Sequence, residues 1–91
     1  MKNKVLVASY DAGGAEILSN WVKYEKPNAL VVVDGPAKKI FKKNCPNTKF
    51  TKLDDALSKC DWVLCSTGWS SNFELNVLIK AKKLKKRSVA F

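Results

Sequence analysis

The chain has 91 residues, 46% of them hydrophobic and 27% charged, which is the composition of one folded domain and excludes a disordered tail. Seventeen Lys and Arg against eight Asp and Glu give a formal charge of +9, and histidine is absent, so metal sites and histidine-based catalysis lose their usual residues. Three cysteines, Cys45, Cys60 and Cys65, are an odd number without a two-residue spacing, which reads as inert thiols in a reduced cytoplasmic setting.

Lys2 and Lys4 precede an apolar run from Val5 to Ala8 that is too short for a secretory core, so neither an export signal nor a transmembrane segment is expected. Val5 to Ser9 reads as a first strand. Ala15 to Tyr24 carries Ile17, Leu18, Trp21 and Val22 at helical spacing, and Pro27 stops that helix. Ala29 to Val33 is a β-branched strand buried on both faces and closed by Asp34-Gly35-Pro36. A lysine-rich helix follows from about Ala37 to Lys43.

Thr48 to Thr51 reads as a short polar third strand, and Leu53 to Lys59 as one or two helical turns started by a Thr51 cap. Asp61 to Ser66 is the fourth strand. Ser71 followed three residues later by Glu74 forms a capping-box pattern for a last helix, whose apolar face runs through Phe73, Val77, Leu78, Ala81 and Leu84. Ser88 to Phe91 is the fifth strand. A polar third strand belongs at an edge and an apolar second strand inside, which selects the order 3-2-1-4-5. The expected fold is therefore α/β, a three-layer Rossmann-like domain with a five-stranded parallel sheet and two helices on each face.

In that order a crevice opens between the carboxyl ends of the first and fourth strands, where two loops meet. The first is Ser9-Tyr10-Asp11-Ala12-Gly13-Gly14. Its glycines leave backbone N–H groups at a helix start open to phosphate or carboxylate, or else simply form a tight strand-to-helix turn. Neither a GxGxxG fingerprint nor a P-loop is present, so no cofactor is implied. The second loop is Ser66-Thr67-Gly68-Trp69-Ser70-Ser71. Thr67, Ser70 and Ser71 offer hydroxyls, Gly68 offers backbone freedom, and Trp69 either stacks on a sugar or base or folds back onto the domain. Asp11 is the candidate general base; Asp34 is a ligand contact or a turn former beside Gly35, and Glu74 is assigned to the helix cap.

The segments Val5-Leu6-Val7-Ala8-Ser9, Asp11-Ala12-Gly13-Gly14-Ala15, Asp34-Gly35-Pro36-Ala37 and Ser66-Thr67-Gly68-Trp69-Ser70-Ser71 carry a resemblance over nearly the whole chain. It resembles the amino-terminal Rossmann-like half of bacterial GT-B-type glycosyltransferases and the related UDP-N-acetylglucosamine 2-epimerases of surface-polysaccharide clusters. The resemblance implies a nucleotide-sugar or sugar-acceptor site in which Gly13 and Gly14 lie beside a sugar or diphosphate and Thr67, Gly68 and Ser70 form the opposite wall. The second domain that supplies most nucleotide-sugar contacts, and the histidine often found near the glycine loop, have no counterpart in these residues.

The expectation is then a single domain over residues 1–91, the N-terminal half of a two-domain architecture, completed by further chain or by a partner subunit, or else kept as a binding module. An apolar last strand ending at Phe91 also suggests a homodimer through that sheet edge. The alternative is a nucleic-acid or anionic-surface binder that uses the six lysines from Lys38 to Lys52 and the basic run from Lys80 to Arg87, where the plain reading is two solvated helix faces. A third reading is a non-catalytic partner subunit.

Overall fold

The computed structural model describes residues 3–66 and 72–90. The elements follow in the order β1 (Val5–Ser9), α1 (Ala12–Glu25), β2 (Ala29–Val33), α2 (Ala37–Asn44), α3 (Leu53–Lys59), β3 (Trp62–Cys65), α4 (Phe73–Lys83) and β4 (Arg87–Ala90). All strands are parallel. The sheet order is β2-β1-β3-β4, with Val5 opposite both Ala29 and Trp62, and Trp62 opposite Arg87.

Alternation of side chains along each strand sorts the core into two layers. Val5, Val7, Val31 and Val33 face Ala15 and Leu18 of α1 and Ala37 and Phe41 of α2. Leu6, Ala8, Val32, Val63 and Cys65 face Ala56 and Leu57 of α3 and Val77 and Ala81 of α4. This explains why β1 is apolar at four consecutive positions: with helices on both sides, no face of it meets water, and all five residues are buried.

The sheet is four-stranded, which corrects the expected five strands in the order 3-2-1-4-5. The segment from Thr48 to Thr51 contributes one isolated parallel bridge between Phe50 and Val31, with the Thr51 N–H donating to the Val31 carbonyl at 2.8 Å. The physical reason is lack of extended length. The Thr48 N–H is turned back onto the Cys45 carbonyl at 3.0 Å, and Lys52 already serves as the extended N-cap of α3. Thr51 is therefore a bridge residue, and the expected Thr51 cap is replaced by Lys52.

Helix boundaries shift for similar local reasons. Asp11 is extended and the Ala15 N–H donates to its carbonyl at 2.9 Å, so α1 starts at Ala12 and takes Gly13 and Gly14 into its first turn. At its other end Lys26 adopts the left-handed conformation (φ 47°) and donates its N–H to Val22, which ends the helix before Pro27. The N-cap of α4 is Asn72. The last strand starts one residue earlier than expected, and Phe91 lies outside the described residues. Among the described residues no helix is long and apolar enough to cross a membrane.

Candidate functional site

β1 and β3 are hydrogen-bonded neighbours, yet α1 leaves β1 toward one face of the sheet and α4 leaves β3 toward the other. Their carboxyl ends thus form the switch point where open α/β sheets usually hold ligands. Ser9 and Ser66 stand at these two strand ends, both fully buried, with their hydroxyl oxygens 2.9 Å apart. Ser66 donates onward to Oε2 of Glu74 at 3.2 Å. Since the Ser66 proton is used there, Ser9 is the donor to Ser66, and the three side chains form a directed relay.

The same Glu74 oxygen accepts the Tyr10 backbone N–H at 2.9 Å. Glu74 is only 4% exposed, and its second oxygen, Oε1, is buried without a hydrogen-bond partner among the described residues. Leaving a buried acceptor unmet costs about 1–3 kcal/mol, so such atoms are rare and concentrate at functional sites. Glu74 also acts on its neighbour Cys65. Burial first, and the Glu74 charge second, push the Cys65 thiol up to about 12, which keeps it protonated and removes it as a nucleophile.

The two glycines at the start of α1 have different roles. A Cβ on Gly14 would lie 2.4 Å from Ser66 Cβ and 2.7 Å from its Oγ, so the helix approaches the end of β3 only because that side chain is missing. A Cβ on Gly13 would meet nothing within 4 Å among the described residues, so none of them closes the first turn of α1 at that point. Tyr10 joins the crevice to the end of β2. Its ring covers Gly35, which has φ +57° and whose Cβ would fall 2.7 Å from the ring, and it meets the Phe73 ring at 6.1 Å. The Tyr10 carbonyl accepts the Ala37 N–H at 3.1 Å.

Of the residues singled out in the sequence, Ser9, Asp11, Gly13 and Gly14 come together at the crevice. Ser9 stands behind it as part of the buried relay, and Asp11 is the half-buried N-cap of α1. Asp34 and Gly35 lie at the neighbouring end of β2, where Asp34 Oδ1 accepts the Gly35 N–H at 2.9 Å and sits 3.7 Å from Lys38 Nζ. Thr67, Gly68, Trp69, Ser70 and Ser71 lie outside the described residues. Ser71 of the expected capping box lies outside the described residues; Glu74 reaches across to Tyr10 and Ser66, the residues that follow β1 and β3. Sequence reasoning missed it, along with Ser66 and Tyr10, because Ser71 three residues before Glu74 already supplied a sufficient local explanation.

A depression of about 650 Å³ lies at the opposite, amino-terminal ends of the strands, against Trp21, Pro27 and Trp62, with Lys26 as the single charged side chain among the described residues that line it. Of the two lysine clusters, the part on α2 packs on one face of the sheet and α4 on the other, while Lys52 caps α3 in the same layer as α4. No protein-family model matches the sequence, and no curated protein or solved structure matches the chain.

The glycine geometry predicts opposite outcomes for one substitution. Gly14→Ala forces a carbon onto the rigid end of β3 and lowers stability by about 1–3 kcal/mol. Gly13→Ala fills open space in a helix and raises it by up to about 1 kcal/mol. Urea midpoints of the two variants check this, and equal midpoints would contradict it.

The thiols predict an alkaline effect. Burial raises Cys45, Cys60 and Cys65 above the ordinary 9.0, Cys65 to about 12, so the unfolded chain loses these protons first. Their contribution to stability is complete below pH 9.0 and is lost as pH rises toward about 12. Denaturation midpoints followed over that range should fall less steeply for Cys65→Ala than for the parent chain; parallel curves would refute the assignment.

Proposed function

We propose that this chain is a glycosyltransferase-like domain that binds a nucleotide sugar or a sugar acceptor at the carboxyl ends of β1 and β3. In this reading it serves polysaccharide biosynthesis and is completed by a second domain or a partner subunit. The observation that carries the proposal is the buried Ser9–Ser66–Glu74 relay, with its unspent carboxylate oxygen, set behind the open first turn of α1. Oε2 of Glu74 ties the strand ends together, but its buried Oε1 is unmet among the described residues, which a purely structural tie would not require.

Sugars suit the site because they offer several hydroxyl donors to fixed acceptors. Asp11, at the start of α1, is the candidate base. In a complete transferase its carboxylate would take the proton of an acceptor hydroxyl as that oxygen bonds to the anomeric carbon and the nucleoside diphosphate leaves with the bonding electrons of the broken C–O bond. The nucleic-acid reading has weaker support, because four of the six lysines from Lys38 to Lys52 sit on α2, on the face of the sheet opposite α4. β4, exposed along its length, is the edge through which a second copy would pair.

Gly13→Val tests the site, since a Cβ at this position meets none of the described residues within 4 Å. UDP-N-acetylglucosamine titrated by calorimetry should bind the parent chain saturably and the variant at least about tenfold more weakly, the loss expected when close backbone approach to a ligand is blocked. Equal affinities would remove the glycine crevice from the binding site. Binding of single-stranded DNA with steep salt dependence, and none of the sugar nucleotide, would move the function to the lysine faces.

A further inference from the structure

A cleft of about 430 Å³ lies one strand away from the crevice, at the carboxyl end of β2. It exists because the chain from Thr48 to Thr51 makes a single bridge and then turns into α3, so that among the described residues no strand runs beside the outer edge of β2 at Val33. Its volume falls within the range of about 300–1,000 Å³ usual for small-molecule sites. Phe50 and Phe73 form its apolar wall, and Lys38 and Lys52 bring two cations from the starts of α2 and α3. Asp34 lines it too, carrying the one negative charge among the described residues of its lining.

We propose that this cleft, and not the glycine turn of α1, holds the phosphates of a nucleoside diphosphate, with Lys38 and Lys52 as the phosphate contacts and Phe50 and Phe73 as the surface for the base. The inference rests on the nucleotide-sugar reading above and adds an orientation to it. The glycine turn is a poor place for phosphate because Glu74 already occupies it from inside. The Tyr10 N–H is spent on Oε2 of Glu74 and is not available to hold a second anion.

The cleft has the opposite balance. Two lysines outweigh Asp34, and the Lys38–Asp34 pair, 3.7 Å apart and exposed on both sides, is worth little and opens readily. The two sites share a wall: Phe73 lines the cleft, touches the Tyr10 ring, and is followed by Glu74 of the crevice. A nucleotide sugar lying along the carboxyl edge would then place its phosphates over β2 and its sugar at Asp11 and Gly13.

Calorimetric titration of the full chain with UDP and with uridine tests the orientation. Lys38→Met combined with Lys52→Met should weaken UDP binding by roughly tenfold or more, the scale of losing charged hydrogen bonds, while uridine binding changes little. Lys42→Met with Lys43→Met, which removes the same charge from α2 outside the cleft, should leave UDP affinity within about twofold of the parent. UDP affinity unchanged in the first variant, or lowered equally in the second, overturns the inference. If UDP binding survives the loss of Lys38 and Lys52 but fails in Gly13→Val, the orientation is wrong and the transferase-like reading stands. If the parent chain binds neither UDP nor UDP-N-acetylglucosamine, both fall.

Discussion

The carboxyl edge of this protein depends on one buried carboxylate. A parallel sheet covered on both faces ends in backbone and hydroxyl groups that have lost water and need partners. Glu74 meets that need from α4 by accepting the Tyr10 N–H and the Ser66 hydroxyl on a single oxygen. In doing so it ties the loop after β1 to the end of β3 and to the start of α4. Gly14 then allows α1 to close against Ser66, and the geometry of the crevice follows from these contacts.

The layered α/β architecture was legible because its signals are repeated. Unbroken apolar runs such as Val5–Ala8 and Ala29–Val33 require cover on both faces, and the helices between them carry apolar residues at helical spacing. The third strand failed for a reason that strand character does not encode. Thr48 to Thr51 has β-compatible residues, but a turn at Cys45 and the helix cap at Lys52 leave only Phe50 in register with Val31. The consequence goes beyond the strand count, because the missing strand leaves the cleft at the end of β2.

The candidate site was legible in part. Glycines after a first strand draw attention whatever they do, and the sequence could not tell that Gly14 serves packing while Gly13 faces open space. Asp34 followed by Gly35 read as either a contact or a turn, and the structure shows a turn closed by Asp34 on the Gly35 N–H and covered by Tyr10. Glu74 was hidden by a local pattern. A Ser and a Glu three residues apart explain each other at a helix start, whereas its partners are 64 and 8 positions away and become neighbours only when β1 and β3 pair.

The binding surface proposed above runs along the carboxyl edge, from the α1 turn to the end of β2. Backbone amide chemical-shift mapping during a titration with UDP-N-acetylglucosamine addresses it most directly, since it reports every segment in one experiment. Shifts concentrated in residues 10–14, at Asp34, Gly35 and Lys38, and at Phe73 and Glu74 are expected. Shifts confined to Lys80 through Arg87, or gathered around Trp21 and Trp62 at the opposite ends of the strands, would contradict it.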